Sequence, residues 1–321
     1  MKKEVFESSV DSKLKIAGFI YDDIKTEADG SIKPKGAVQI LHGMTDRMQR
    51  YEELAARLNR EGYVMFGIDM LGHGETYVLN KELGMPQGYF GGGKDDYKKI
   101  MADDEKMREI VSKMYPDVPM ILYGHSMGSF VCREMYSVDE YSKNYEGFIF
   151  SSTMGKNPAV GFGIFLSNLL SGLGLGKKKS NLLNTIAFGS YNSHYKPRRT
   201  NYDWLSTDEH EVDVYMADPL CNFTFTHRGF GDLFRYVRDI QKTSIYEKCS
   251  RKPCLLPYCT EDPVGSYGKG VEQVYDMYIK HGADARKVNF GAYRHEPLND
   301  VIRNEYMDAL VKFIDEVCDK T

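Results

Sequence analysis

Residues 120–136 read MILYGHSMGSFVCREMY. Met120 to Tyr123 is a short apolar run of the kind buried on both faces of a parallel sheet, and Gly128 to Tyr136 reads as a helix. Between them lies Gly124-His125-Ser126-Met127-Gly128, a G-x-S-x-G sequence. Gly and Ser are common, so the pattern alone is weak, and an ordinary Gly-rich turn before a helix is the plainer alternative. Between a strand and a helix it becomes specific. A tight turn there holds Ser126 in a strained backbone conformation with its Oγ exposed, and the flanking glycines tolerate the close approach.

On the N-terminal side, Val5–Val10 and Leu14–Tyr21 alternate like two antiparallel strands joined at Asp11-Ser12. Ala37–Leu41 and Tyr63–Met70 are further buried strands. Tyr51, Leu54, Ala55 and Leu58 mark one face of a helix that Gly62 ends, and Asp95–Tyr115 reads as a helix stopped by Pro116. On the C-terminal side, Gly147–Ser151, Cys254–Tyr258 and Lys287–Tyr293 read as strands. Val271–His281 and the stripe Tyr306, Ala309, Leu310, Phe313, Ile314, Val317 read as helices. Strand and helix alternate, which predicts an α/β domain with a mostly parallel central sheet flanked by helices. The alternation lapses between about 156 and 245 and resumes after it. The expected organisation is therefore a core of residues 1–155 and 246–321 interrupted by an inserted helical cap, 156–245.

A serine hydroxyl is a poor nucleophile until a base takes its proton, and that base is a histidine oriented by a carboxylate. After such a strand-turn-helix the partners follow in chain order, acid and then histidine, each behind a late strand. Asp262 follows Cys254–Tyr258 and His295 follows Lys287–Tyr293, with Glu261 the rival acid. Acyl transfer also needs two donors for the developing oxyanion. The expected donors are the backbone N–H of Met127 and that of Met44, in the His42-Gly43-Met44 loop behind the Ala37–Leu41 strand. His42, His73 and His125 are expected to be structural.

These residues stand in the segments LHGMTDRMQRY (41–51), FGIDMLGHGET (66–76), YGHSMGS (123–129), EDPVG (261–265) and RHEPLND (294–300). Together they make the chain resemble the α/β-hydrolase family, in its branch of monoacylglycerol lipases, lysophospholipases and serine aminopeptidase-like hydrolases. The resemblance implies that Ser126 is the nucleophile, Asp262 the acid and His295 the base. It departs at position 44, where members often carry a small residue and this chain has Met44. It also implies that the insertion covers the nucleophile and selects the substrate.

The first part of that insertion, Ala159–Gly176, is AVGFGIFLSNLLSGLGLG, nearly long enough for a membrane span. Its Ser167, Asn168, Ser171 and glycines, and the Lys177-Lys178-Lys179 that follows, point instead to an amphipathic lid. Phe162, Phe165, Leu169 and Leu170 are the expected acyl-binding residues. Burial of an acyl chain in such a lining is favourable by about 0.8 kcal/mol per methylene. The lysines could meet anionic head groups, giving transient contact with a membrane surface. Asp203 or Asp218 could bind a substrate amine, although either suits a helix cap.

The chain has 321 residues, with 42% apolar and 27% charged residues, which excludes disordered and collagenous classes. Its 42 basic and 46 acidic residues give no support to a polyanion-binding surface, so nucleic acid is not an expected partner. The six cysteines form no CxxC pair, and no H-E-x-x-H, Walker A or G-x-G-x-x-G sequence is present, so neither metal nor cofactor is expected. The N-terminal MKKEVFESSV lacks the apolar region of a signal peptide, and a cytoplasmic protein is expected. The leading functional expectation is an esterase acting on monoacylglycerol- or lysophospholipid-like lipid esters. Amide or peptide hydrolysis by the same groups and a non-catalytic receptor on the same scaffold are the alternatives.

Overall fold

A computed structural model describes residues 1–25 and 32–320. The strands are β1 (Lys2–Glu7), β2 (Lys15–Tyr21), β3 (Gly36–Leu41), β4 (Tyr63–Asp69), β5 (Met120–His125), β6 (Gly147–Ser151), β7 (Cys254–Tyr258) and β8 (Ala285–Asn289). They form one eight-stranded sheet in the order β1-β2-β4-β3-β5-β6-β7-β8. The pairs β1/β2 and β2/β4 are antiparallel. All other pairings are parallel. Parallel neighbours need crossovers, and helices supply them on both faces. Helices α1 (Glu52–Glu61), α2 (Gly74–Asn80), α3 (Asp96–Met114), α4 (Met127–Tyr136) and α5 (Asp139–Ser142) come before β6 or between the strands leading to it. After it come α6 (Val160–Leu170), α7 (Asn181–Phe188), α8 (Glu209–Ala217), α9 (His227–Asp239) and α10 (Thr243–Glu247), then α11 (Lys269–Lys280) and α12 (Arg303–Cys318).

The period-2 alternation of the strands divides the core. Val38 and Ile40 of β3 pack with Leu54 and Leu58 of α1 and with Leu310, Ile314 and Val317 of α12. Ala37 and Leu41 face the other way, toward Ile100 and Val111 of α3, Val131 and Met135 of α4, and Val274 and Tyr278 of α11. Gly62, at φ 92°, closes α1 in the left-handed conformation that a Cβ would penalise.

The expected elements are present, with three shifts, the first being that the strand anticipated over Val5–Val10 occupies Lys2–Glu7. The helix whose face was read from Tyr51 starts at Glu52, behind a 3-10 turn over Met48–Tyr51. The strand anticipated over Lys287–Tyr293 occupies Ala285–Asn289 instead. Gly291, at φ 84°, turns the chain out of the sheet, so Phe290 to His295 form a loop beyond the carboxyl end of β8.

β6 and β7 flank the interval in which the alternation lapses, and they are sheet neighbours, pairing Phe148 with Cys254 and Ile149 with Leu255. The interval itself is helical. Ser180, Asp208 and Thr226 cap α7, α8 and α9 by accepting the N–H groups of Leu183, His210 and Gly229. Phe230, Leu233, Tyr236 and Val237 of α9 join the same buried cluster as α3 and α4. Buried Arg133 of α4 donates to the carbonyls of Met154 at 2.8 Å and Ile240 at 3.1 Å, fastening both ends of this interval to α4. The boundary expected between 245 and 246 falls inside α10, whose Tyr246 hydroxyl accepts from Arg133 at 2.9 Å. Among the described residues no helix is long and apolar enough to cross a membrane.

Candidate active site

The turn between β5 and α4 is strained where the sequence predicts. Ser126 sits at φ 52° and ψ −120°. A Cβ on Gly124 would lie 2.3 Å from the Gly128 carbonyl oxygen, and one on Gly128 would lie 2.0 Å from that of Leu41. No side chain fits at either place, so both glycines are a steric condition of the turn. The Ser126 N–H donates to the Ser151 carbonyl at 3.0 Å, which ties the turn to the end of β6. The Ser126 carbonyl accepts from the Ser129 hydroxyl at 2.6 Å, which closes the first turn of α4.

Asp262, in the loop after β7, accepts at Oδ1 from the Val264 N–H at 2.8 Å and lies 2.9 Å from His295 Nδ1. The pair is buried, with 1% and 2% of the respective residue surfaces exposed. The carboxylate touching His295 is that of Asp262, not of neighbouring Glu261. Nδ1 bonded to a carboxylate leaves Nε2 as the imidazole's other face for proton transfer. The His295 carbonyl accepts from the Ser152 hydroxyl at 2.8 Å, and its ring lies 5.0 Å from that of His125.

The loop after β3 runs directly beside the serine: a Cβ on Gly43 would be 3.4 Å from Ser126 Cβ. His42 fixes that loop, with Nδ1 2.8 Å from the Gly43 carbonyl and Nε2 accepting from the Met70 N–H at 2.9 Å. Among the described residues no protein acceptor takes the N–H of Met44 or Met127. His73 is enclosed by Phe90, Phe223 and Phe225, and burial pushes its pKa down to about 3. His125 is pushed down to about 4, chiefly by burial and then by His295, and its Nδ1 meets Ser151 Oγ at 3.1 Å.

Beneath this site lies a charged cluster that composition and spacing did not disclose. Arg50 donates from Nη1 to Asp46 Oδ1 and Glu296 Oε1, both at 3.1 Å, and from Nη2 to Glu296 Oε2 at 2.5 Å. Its guanidinium lies over the Tyr215 ring, 5.1 Å from the centroid. Burial alone would raise the Asp46 and Glu296 carboxyls; Arg50, together with the neighbouring histidines and local hydrogen bonds, outweighs it and holds both below their usual range.

Gly43, Met44, Ser126, Met127 and His295 line one end of a cavity of about 420 Å³. Phe130, Met154, Phe188, Trp204, Phe223, Leu233, Phe234 and Val237 supply its apolar wall, and Asn157, Asn184, Asn201 and Arg198 its polar part. Phe162, Phe165, Leu169 and Leu170 are not in that wall, which corrects the expectation for α6. Phe162, Phe165 and Leu169 are 60%, 63% and 50% exposed. The reason is the small residues on the same helix. A Cβ on Gly163 would meet the Phe234 ring at 2.7 Å, and Ser167 donates to the His227 carbonyl at 2.7 Å. The glycine and serine face, not the phenylalanine face, therefore packs against α9. The lining that was missed has a signal in α9, where Phe230, Leu233, Phe234 and Val237 recur at i, i+3, i+4, i+7.

Asp203 accepts the N–H groups of Arg199 at 2.7 Å and Thr200 at 2.9 Å, and Asp218 pairs with Arg47 at 2.8 Å. Both are engaged in local structure and neither lines the cavity.

The sequence pattern of the serine aminopeptidase S33 family matches residues 32–301. Monoglyceride lipase from Rattus norvegicus is 27% identical over 187 residues, 58% of this chain and 52% of that protein. Monoacylglycerol lipase from Mycolicibacterium smegmatis is 26% identical over 205 residues, 63% of this chain and 60% of that protein. The chain thus spans about half the length of the first of these relatives. Among solved structures, a thermostable carboxyl esterase from Bacillus coagulans in complex with glycerol superposes with a TM-score of 0.88 at 27% identity, over 99% of this chain and 98% of that one. A soluble variant of monoglyceride lipase from Saccharomyces cerevisiae gives 0.70 at 16% identity over 98% and 94%, a likeness of fold alone. The fold is that of the α/β hydrolases, and the chain belongs to the serine aminopeptidase S33 family.

Proposed function

We propose that the protein is a carboxylic ester hydrolase working through Ser126, His295 and Asp262. The observation that carries this reading is the buried Asp262–His295 bond, opening on the cavity that also receives Ser126 from a positive-φ turn. His295, held by Asp262, takes the Ser126 proton as Oγ attacks the ester carbonyl. The N–H groups of Met44 and Met127 receive the oxyanion, a contribution of about 3–4 kcal/mol per donor. His295 then protonates the leaving alcohol, and water releases the acyl-enzyme by the same route. The main-chain donor at position 44 does not depend on its side chain, so Met44 changes the cavity wall rather than the chemistry.

The apolar wall suits an acyl chain and the polar part a hydroxylated or zwitterionic head group, so we read the substrates as monoacylglycerol- or lysophospholipid-like. Residues 156–245 act in this reading as a cap whose inner wall selects the chain. Its outer face, with Phe162, Phe165, Leu169 and Leu173 exposed beside Lys177-Lys178-Lys179, is read as touching lipid surfaces transiently. A cytoplasmic location belongs to the same proposal, since the six cysteines are unbridged, as thiols are where they are kept reduced.

A fluorophosphonate probe and a series of p-nitrophenyl esters from acetyl to palmitoyl test this. The wild type should be labelled and should turn over the longer esters faster. Ser126→Ala should lose labelling and about 10⁴-fold or more in kcat. An unlabelled wild type without ester turnover ends the enzyme reading, and an acetyl preference ends the lipid one.

A further inference from the structure

Residues 203–207, which lie within the insertion, run against residues 294–300, the loop carrying His295. Arg294 Nη1 donates to the carbonyls of Asp203 at 2.6 Å and Ser206 at 2.7 Å. The His295 N–H donates to the Trp204 carbonyl at 3.3 Å and the Glu296 N–H to that of Leu205 at 2.8 Å. The Thr207 N–H donates to Asp300 Oδ2 at 2.8 Å. These bonds use main-chain groups of the strap, which reaches the histidine loop across a sequence separation of 88 to 91 residues.

The Trp204 ring completes the contact. Its centroid lies 5.1 Å from that of His295, at an interplanar angle of 42°. Phe188 stacks on the indole at 6.2 Å and 7°, and Tyr191 meets it edge-on at 5.1 Å. The Trp204 N–H donates to Asn192 Oδ1 at 3.0 Å, so indole and backbone are both held. His125, 5.0 Å from His295, is its other ring neighbour. One hydrogen bond at Nδ1 anchors the imidazole at a point and leaves it free to swing about the bond axis. The two neighbouring rings narrow that freedom.

We infer that Trp204 is a positioning residue for His295, and that the insertion thereby completes the catalytic machinery as well as covering it. The inference rests on the reading of His295 as the base. Trp204 limits the swing of the imidazole so that Nε2 stays directed at the serine, while the strap bonds keep the indole and the histidine loop in register. It predicts that the cap cannot lift away as one body without disturbing the base, and that the 203–207 segment stays in place while substrate enters.

The test compares wild type, Trp204→Phe and Trp204→Leu in steady-state hydrolysis of p-nitrophenyl butyrate and in the rate of fluorophosphonate labelling. Trp204→Leu keeps apolar bulk but loses the flat face. It should lower kcat and the labelling rate by the same factor, about 10- to 100-fold, with KM within about threefold. Trp204→Phe should recover most of the loss. Should Trp204→Leu fail to fold, Arg294→Met, which removes two strap bonds and leaves the indole, should show the same paired loss on a smaller scale. A raised KM or an altered ester-length profile with kcat and labelling unchanged makes Trp204 a wall residue and overturns the inference. Unlabelled wild type overturns instead the reading it rests on. Labelled wild type with Trp204→Leu labelled equally fast removes the positioning role alone. Because Trp204 is the chain's single tryptophan, its emission should change when wild type is phosphonylated and stay constant in Ser126→Ala.

Discussion

Replacing Arg50 by methionine should unfold the protein more readily than almost any other charge deletion. Arg50 and Glu296 expose 11% and 9% of their side chains, and Asp46 exposes 5%. The substitution leaves two buried carboxylates without their cation. Removing one partner of a buried pair costs about 3–5 kcal/mol, because the remaining charge is stranded, and loss of the contact with the Tyr215 ring adds about 1 kcal/mol. For a chain of this length the unfolding entropy is about 0.7 kcal/mol/K, so a deficit near 4 kcal/mol lowers Tm by about 6 °C. The deficit should also depend on pH in a defined direction. In the wild type the folded pKa values of Asp46 and Glu296 lie below their unfolded values. The stability this contributes is complete above the unfolded values and is lost as pH falls through the folded ones. Without Arg50 the largest influence opposing burial is gone and the carboxyls take up protons at higher pH, so the deficit should be largest near pH 7.5 and smaller near pH 4.5. Urea or thermal unfolding followed by circular dichroism at both pH values measures it. A deficit under about 1 kcal/mol, or one that is constant across the range, would refute the claim that this cluster is a tightly coupled, desolvated unit.

Glu134 has a buried Oε1 without a partner, and its pKa is pushed up to about 7, mainly by burial and then by Asp239. A raised folded pKa means that the native state keeps a proton the unfolded chain has lost, so stability falls as pH rises from about 4.5 to 7; Glu134→Gln should be more stable than wild type at pH 8 by up to about 3 kcal/mol and equal to it at pH 4. A pH-independent difference would exclude this. Phe162→Ser combined with Phe165→Ser should leave p-nitrophenyl butyrate turnover unchanged and weaken cosedimentation with anionic phospholipid vesicles several-fold, and the wild-type binding should itself weaken with added salt. Unchanged binding would leave the exposed face of α6 without a lipid role.

The sequence of elements was legible because it depends on local properties. Alternation in β2, continuous apolar runs in β3 and β4, period 3.6 in α1 and α12, and the left-handed requirement at Gly62 are each decided within one turn or one strand. The same holds for the serine turn, where Gly124 and Gly128 are demanded by contacts of the turn with its own helix and the adjacent strand. β8 was placed late because Val288, Phe290 and Ala292 continue an apolar alternation past Gly291, whose φ of 84° turns the chain out of the sheet. α6 was misread for a different reason. When a helix is apolar all round, hydrophobicity cannot say which face is inside, and the small face packed.

By itself, then, the sequence determined a mostly parallel α/β sheet with an interval between Ser151 and Cys254 in which the alternation lapses, and the chain order of Ser126, Asp262 and His295. Periodicity and turn sterics act over a few residues and are written directly into the chain. Only the tertiary structure decided that α9, not the phenylalanines of α6, walls the cavity, that Arg50 bridges Asp46 and Glu296, and that Trp204 lies against His295. Those are meetings of side chains distant in sequence, and the backbone paths and close helix approaches that create them follow from packing the whole core.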